Sequence, residues 1–324
     1  MHPAFLCVCF VDNAAASRYN VSYCEGYVMH MNQNRAALIK LTVSMILFGT
    51  IGIFVKHIPL QSSMIALVRG IVGTIFLLSV IACRRKPISI ASLKANFLWL
   101  SLSGACIGFN WILLFESYRY TSVAVSTLCY YMAPILVILA SPLLLKESLT
   151  VKKVLCVITA IVGMILISGV LQSGSFGAGQ GKGILFGLSA AVLYASVVLM
   201  NKKIKNIDSY DKTVMQLGVA ALVMLPYCAV TYQAAEPLTV DSVLLLLTVG
   251  VVHTGFAYYL YFASMSHLSA QSVAVISYLD PVVAVILSVV LLSEPLRLTD
   301  LIGAILILGA ALVSELHAAG KSKP

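Results

Sequence analysis

Four ionisable side chains lie inside long apolar runs of the sequence: Arg69, Glu116, His253 and Asp280. At the centre of a bilayer each would cost about 2.5–3.5 kcal/mol, so such residues are kept where they bind a ligand, carry a proton or pair with a neighbour. A guanidinium, an imidazole and carboxylates together suit the handling of ions, protons or charged metabolites. These four residues are therefore the first candidates for a functional site.

Asp280 offers the clearest chemistry, because it lies in the middle of its run and directly before Pro281. A proline inside a helix removes one backbone hydrogen bond and kinks the helix, which frees a carbonyl group near the carboxylate. Ser277, Ala284 and Ser288 lie at helical spacing around Asp280 and give the segment a small, polar face. The pattern predicts a site for a cation, an amine or a proton, and the alternative is a structural carboxylate that pairs with a neighbour.

His253 shares one helical face with Ala257, Tyr261 and Ser264. Because imidazole changes its charge near neutral pH, one hypothesis is a proton relay between His253 and Asp280, and these two residues form the predicted proton-coupling pair. The alternative is a neutral histidine that is hydrogen bonded across helices.

Glu116 and Arg119 are three residues apart, and an ion pair between them on one helix is the simplest interpretation. Arg69 has two interpretations. Its charge could attract an anionic group of a substrate, or its long stem could serve packing while the charge reaches towards the interface.

Aromatic side chains and one amide complete the candidate site. Rings could stack on an amine or on another ring, although many tyrosines will belong to the interfacial belt. Asn110 lies in the middle of its run, so its amide needs partners from another helix or from a ligand. The predicted substrate-binding residues are Asn110, Trp111, Tyr131, His253, Tyr258, Tyr261, Tyr278 and Asp280. We predict no catalytic residue, no cofactor and no metal site.

The composition requires a lipid environment. Of the 324 residues, 60% are hydrophobic and 10% are charged, whereas soluble domains have about 25% charged residues. A single globular core cannot hide so many apolar side chains at this length. The net charge of +9 arises from short basic clusters between the apolar runs, which is a signal of membrane topology and argues against nucleic-acid binding.

About 20 apolar residues in helical form cross a bilayer core of about 30 Å, and the chain holds ten such runs. Helices are predicted rather than barrel strands, because the runs are too long and too uniformly apolar for strands. The predicted spans 1 to 10 are 38–56, 62–83, 96–116, 121–145, 153–171, 183–201, 212–232, 242–264, 269–292 and 299–316.

A shift of 147 residues superposes the second half of the chain on the first, without a gap from span 3 to the end of span 4. The shift aligns Tyr131 with Tyr278, Pro134 with Pro281 and Glu147 with Glu294. Because five is an odd number, the second copy must enter the membrane in the opposite orientation. The predicted fold class is an all-α membrane protein of ten transmembrane helices, arranged as two inverted five-helix repeats.

Each half resembles one EamA unit of the drug/metabolite transporter superfamily. The resemblance is carried by ALVRGIVGTIFLL at 66–78 and by the stretches 108–150 and 255–296, each with a proline and a later glutamate. It implies a ten-helix carrier whose central cavity is lined mainly by spans 1, 3, 4, 6, 8 and 9. Span 2 would then be peripheral, which favours the packing role for Arg69. The predicted structural or gating residues are Arg69, Pro134, Glu147, Pro281 and Glu294.

The basic residues predict an orientation. With the N-terminus in the cytoplasm, the segments on the inner side, including both termini and the inner ends of the spans, hold fifteen Lys and Arg residues and those on the outer side hold four, as the positive-inside rule requires. We expect a multi-pass protein of the inner (cytoplasmic) membrane with both termini in the cytoplasm.

The division of the chain follows from the spans. Residues 1–35 are an N-terminal extension that we expect to be disordered, with a natural translation start at Met31 as the alternative. Residues 36–172 form the first repeat, 173–182 a Gly-rich linker, 183–317 the second repeat and 318–324 a cytoplasmic tail.

An inverted repeat favours transport, because two similar halves can exchange conformations and so open one site to either side in turn. The predicted function is a secondary transporter, an exporter of amino acids or related small metabolites by family analogy, with proton coupling through Asp280. The alternative within transport is a multidrug carrier for lipophilic cations. A membrane-embedded enzyme or a channel is the alternative of another class, and the sequence shows no catalytic cluster. Expected partners are the small-molecule substrate and membrane lipid, with the chain as a monomer or a homodimer.

Overall fold

The computed structural model describes residues 14–85, 87–121, 123–167, 180–232, 237–292 and 298–320, and within them it is helical nearly throughout, without a strand. The helices of the first half are α1 (Ala14–Lys56), α2 (Ser62–Cys83), α3 (Ile90–Ala95), α4 (Phe97–Tyr120), α5 (Val123–Tyr130), α6 (Ala133–Leu145) and α7 (Val151–Ile167). Those of the second half are α8 (Gln180–Asn201), α9 (Ser209–Thr231), α10 (Val240–Thr248), α11 (Ala257–Met265), α12 (Ala270–Ile276), α13 (Leu279–Leu292) and α14 (Leu298–Gly320). A π-helical segment, Val249–Phe256, joins α10 to α11.

The helices present an apolar surface to the outside. Leu143 and Val230, for example, are 85% and 86% exposed, and a surface of this kind is stable only against lipid. Among the described residues, six helical stretches are long and apolar enough to cross a membrane. They are Gln33–Lys56, Ser62–Cys83, Ile90–Tyr120, Gly181–Asn201, Ser209–Thr231 and Val240–Met265, and shorter apolar helices lie at Ala133–Leu145, Ala270–Ala284 and Leu301–Ala310. The chain is therefore a multi-pass membrane protein.

Spans 4 and 9 were each predicted as one helix, but each is split in two. The first half breaks between α5 and α6 at residues 131–132, and the second between α12 and α13 at 277–278. Pro134 and Pro281 follow the breaks, and neither has the N–H that would bond to the carbonyl four residues earlier. The breaks are therefore the structural expression of the two repeat-related prolines.

The first helix is longer than the sequence predicted. Residues 14–35, assigned to a disordered extension, continue α1 without interruption to Lys56. No proline lies between Ala14 and Lys56, so nothing in the chain breaks the helical hydrogen bonding. Part of the predicted linker and tail lies outside the described residues, and its described ends at 180–182 and 318–320 belong to α8 and α14.

The two halves interlock. Helix α4 of the first half packs against α8 and α9 of the second half. The π-helical segment and α11 of the second half pack against α2 and α1 of the first half. The shift of 147 residues carries α4 onto the π-helical segment and α11, and it carries α1 and α2 onto α8 and α9. Each of these contacts between the halves thus has a counterpart, as two repeats around a pseudo-two-fold axis require.

Candidate functional site

The two helix breaks meet in the interior. The hydroxyl of Tyr278 donates a hydrogen bond to the backbone carbonyl of Tyr131 at 3.1 Å, and the two ring centroids are 6.5 Å apart. Tyr131 and Tyr278 are equivalent positions of the repeat, so this contact lies close to the pseudo-two-fold axis. Broken helices at equivalent positions of two repeats are where transporters bind substrates and ions.

Asp280 is the second residue of α13, directly after the break in the second half. Its carboxylate interacts with the hydroxyl of Tyr131. The residue is half-buried, and the interaction with Tyr131 directs its carboxylate towards the break in the first half.

Tyrosine and tryptophan rings from several helices enclose the same region. Tyr194 and Tyr261 stack at an interplanar angle of 7° with their centroids 6.4 Å apart, and their hydroxyls are hydrogen bonded at 2.6 Å. The Trp111 ring lies edge-on to Tyr258 with centroids 6.1 Å apart. Phe48 on α1 contacts Tyr258 at 5.1 Å. Because these rings come from α1, α4, α8 and α11, the site lies between the two halves, and we call it the central site.

Arg69 does not occupy the peripheral position that the resemblance implied. Its guanidinium carbon lies 4.5 Å from the centroid of the Trp111 ring, a cation–π arrangement. It interacts electrostatically with Tyr118, Tyr130 and Tyr258. The α2 helix therefore contributes a cation to the edge of the central site.

Two predicted substrate-binding residues form hydrogen bonds to other helices, although Nδ1 of His253 is buried without a hydrogen-bond partner. The Asn110 amide donates to the carbonyl of Ala190 at 2.6 Å, and its oxygen accepts from the Tyr130 hydroxyl at 3.4 Å. His253 Nε2 lies 2.7 Å from the hydroxyl of Thr50, and Phe54 covers the imidazole with ring centroids 4.6 Å apart. The Asn110 amide thus has a partner on another helix, and the His253 imidazole has a hydrogen bond across helices. A role of either residue in substrate binding stays a prediction.

The described contacts do not join His253 to Asp280, the predicted proton-coupling pair. His253 lies in the π-helical segment and faces α1, whereas Asp280 faces Tyr131 across the breaks. A π-helical segment replaces the regular hydrogen-bonding register locally and is common at functional positions. The proton relay remains a prediction.

Glu147 links the halves at one end of the bundle. Its carboxylate accepts from the backbone N–H of Ala270 at 2.9 Å and of Gln271 at 3.4 Å. These are the first two residues of α12, whose N-cap is Ser269. A carboxylate at a helix N-terminus satisfies free N–H groups and complements the helix dipole.

Two lysines donate hydrogen bonds to backbone carbonyls at the end of α11 and in the turn that precedes α12. Lys202 Nζ donates to the carbonyls of Met265, at 2.8 Å, and of Leu268. Lys212, which is 2% exposed, donates to the carbonyl of Phe262 at 2.8 Å. Burial lowers the pKa of the Lys202 ammonium, and the nearby Glu147 carboxylate opposes this effect. The end of α11 thus receives positive charge while the start of α12 receives negative charge, which suits both helix dipoles. We call Glu147, Lys202, Lys212 and residues 262–271 the latch.

The remaining predicted residues lie away from the central site or outside the residues that the structure describes. Arg119 and Glu116 form the predicted ion pair at 2.9 Å, and Tyr227 donates to the same carboxylate at 2.5 Å. Glu294 and the side chain of Ser288 lie outside the described residues. Among the described residues, no group of His, Cys, Asp or Glu could hold a metal ion.

The sequence missed several residues that line the site or the latch: Phe48, Thr50, Tyr118, Lys202 and Lys212. The two lysines indicated only the topology of the chain, and the one available hint was that Lys202 directly follows span 6 and Lys212 begins span 7. Phe48 carried no signal, because a phenylalanine in an apolar run is typical of any membrane helix.

The fold and the site define a class: a polytopic membrane protein of two interlocked repeats with a partly polar site at the breaks between them. A solved crystal structure with 20% sequence identity matches 89% of this chain and 99% of its own with a TM-score of 0.76, so it has the same fold. The model of the EamA-like transporter family matches residues 35–169 and 181–315.

The chain belongs to the EamA-like transporter family. It is 31% identical over 290 residues to the "Uncharacterized transporter YxxF" of Bacillus subtilis, covering 90% of this chain and 93% of that protein. An "Uncharacterized transporter" of Archaeoglobus fulgidus is 26% identical over 88% of this chain and 97% of its own. The "Protein PecM" of Dickeya dadantii is 24% identical over 68% of this chain and 74% of its own.

Proposed function

We propose that this protein is a secondary transporter that moves amino acids or related small metabolites out of the cell by alternating access. The observation that carries the proposal is the position of Asp280 beside two repeat-related helix breaks that touch through Tyr131 and Tyr278. An ionisable side chain at such a position inside a membrane protein is a binding group by default. Ten crossings, cytoplasmic termini and a place in the cytoplasmic membrane are parts of the same proposal.

Asp280 has two tasks in this mechanism. Its carboxylate binds the amino group of the substrate, and in the alternate step it binds a proton, so that proton and substrate compete for one group. The carboxylate has Tyr131 as its hydrogen-bond donor and, within the described residues, no cationic partner. It is therefore available to a positively charged ligand.

The latch supports alternating access. Its Glu147 carboxylate joins the end of α6 in the first half to the start of α12 in the second half, and these bonds must break if the halves move apart at that end. The bonds of Lys202 and Lys212 lie within the second half and support the end of α11 and the turn before α12. Side chains that cap a helix N-terminus in this way contribute about 1 kcal/mol each. They are strong enough to hold one conformation and weak enough for a substrate to shift the equilibrium.

A carrier for lipophilic cations is the second candidate. The rings of Tyr194, Tyr258 and Tyr261 surround the region of Asp280, and aromatic faces attract organic cations. This candidate predicts that hydrophobic amines without an acidic group are the preferred substrates.

The test is counterflow with the full-length protein in liposomes that are preloaded with unlabelled amino acids. A carrier accumulates labelled amino acid transiently, and Asp280→Asn is expected to abolish the response to an imposed pH gradient. Asp241→Asn changes an exposed carboxylate at the start of α10 and is the matched control. Uptake without counterflow would identify a channel, and pH-driven transport that survives in Asp280→Asn would exclude the proton role. Transport inhibited by lipophilic cations but not by amino acids would favour the second candidate.

A further inference from the structure

Within the described part of the chain, no polar side chain forms a hydrogen bond or an ion pair with the guanidinium of Arg69. Its described neighbours are the Trp111 ring at 4.5 Å and the tyrosines with which it interacts electrostatically. The Nε atom is buried and has no hydrogen-bond partner. No carboxylate among the described residues forms an ion pair with it. Arg69 is half-buried in the membrane-spanning part, and a cation placed there without an anionic partner is costly, so its retention calls for a compensating anion.

Asp280 carries the opposite charge and likewise has no charged partner among the described residues, since its carboxylate interacts with the neutral hydroxyl of Tyr131. Two tyrosines connect the two charges. Tyr118 and Tyr258 each interact electrostatically with both Arg69 and Asp280. The cation and the anion therefore lie near the same two tyrosines, and among the described residues no ion pair joins them.

The repeat provides an internal comparison. The shift of 147 residues carries Arg69 onto Gln216, which is fully buried. The Gln216 amide donates to Ser103 at 2.8 Å and lies 3.3 Å from the Asn201 oxygen. The second half thus uses this position for a hydrogen-bond network between helices, whereas the first half places there a cation that has no anionic partner among the described residues. Packing alone is served by the neutral residue, so packing does not explain the arginine.

We propose that Arg69 is a specificity-determining residue that binds an acidic group of the substrate. The substrate then carries an anionic group for Arg69 and a cationic group for Asp280, with its body against Trp111 and Tyr258. A guanidinium suits this task because its planar fork binds a carboxylate through two hydrogen bonds while its face stacks on an indole. This inference rests on the proposed transport function and assigns one end of its substrate.

The experiment compares acids with their amides in the counterflow assay. The panel consists of the common amino acids, the corresponding amino acid amides and the decarboxylated amines, each tested against the full-length protein in liposomes. The wild-type protein is expected to prefer each transported amino acid over its amide by about tenfold or more, the usual effect of one charge-assisted hydrogen-bond pair. Arg69→Gln, which installs the residue of the repeat equivalent, is expected to remove this preference, and Arg69→Lys to restore part of it.

Arg119→Gln is the matched control, because it removes an exposed guanidinium that is paired to Glu116. This variant should leave the ratio of amino acid transport to amide transport unchanged. Thermal unfolding of each variant in detergent shows whether it is folded, and the ratio of two substrates does not depend on the amount of folded protein.

Each result decides the matter. The role of Arg69 is overturned if Arg69→Gln keeps the wild-type ratio of amino acid transport to amide transport. It is also overturned if the wild-type protein transports amides and amines as well as amino acids. Both results leave the proposed transport function standing. If the wild-type protein transports no member of the panel, both the transport function and the role of Arg69 are overturned. Loss of the acid preference in Arg69→Gln alone, with amide transport retained, establishes the assignment.

Discussion

Glu147, two residues after the end of α6, accepts a hydrogen bond at 2.9 Å from the backbone N–H of Ala270, the first residue of α12 in the other half. The two residues are 123 positions apart in the chain. The bond therefore joins the two repeats directly at one end of the bundle.

Glu147→Ala should weaken the latch by about 1 kcal/mol, the usual effect of removing a helix cap. The latch end should then open more often. The measurement is the rate at which a maleimide labels Gln271→Cys in a background without other cysteines, since Gln271 is fully buried in the closed form. We expect about fivefold faster labelling, because 1 kcal/mol corresponds to about that change in an equilibrium.

Asp241→Asn is the control for this measurement, because it removes a carboxylate that lies on an exposed part of α10. Labelling at the same rate in Glu147→Ala and in the wild-type protein would contradict the assignment of Glu147 to a latch.

The two tyrosines at the breaks should respond differently to loss of their hydroxyls. Tyr278→Phe removes the donor to the Tyr131 carbonyl and should lower the free energy of unfolding by about 0.5–1.5 kcal/mol. Tyr131→Phe leaves that bond intact and removes the partner of Asp280, so it should reduce counterflow several-fold with a smaller change in the unfolding temperature. If both variants lost stability alike and kept full transport, Tyr131 would have no part in the site.

Close packing between α4 and α9 should depend on two glycines. A Cβ atom at Gly104 would lie 2.7 Å from the carbonyl oxygen of Gln216, and one at Gly108 would lie 2.8 Å from that of Ala220. Alanine at either position should destabilise the fold by about 1–3 kcal/mol. Gly52→Ala is the matched control, because a Cβ there meets nothing within 4 Å. Equal unfolding temperatures for all three variants would show that the helices separate easily.

His253 should act through Thr50 rather than through Asp280. Thr50→Val leaves the imidazole Nε2 without the partner that it has at 2.7 Å. This change should cost about 1–3 kcal/mol of stability, because a buried polar atom loses its hydrogen bond. We expect the dependence of transport on the pH gradient to survive in Thr50→Val and in His253→Gln. Loss of that dependence in His253→Gln, with stability retained, would instead support the proton relay.

Local and periodic features could be predicted from the sequence. The bounds of span 2 coincide with those of α2 (Ser62–Cys83), because apolar length and flanking polar residues fix where a membrane helix begins and ends. The ion pair of Glu116 and Arg119 followed from helical spacing alone. The breaks in spans 4 and 9 could be predicted only in part, because the prolines indicated a kink in each span but not its division into two helices.

The sequence by itself determined the apolar spans, the repeat and the presence of charged residues inside the membrane-spanning part. Only the tertiary structure decided which charges face each other. A helix that is apolar all round carries no stripe that marks its buried face, so the sequence alone did not place Arg69 beside Trp111 or His253 beside Thr50. The rotation of α2 towards Trp111 and of the π-helical segment towards Thr50 depends on how the two halves interlock. That arrangement is a property of contacts between residues far apart in the chain, because close-packed side chains select one fit among many that composition allows.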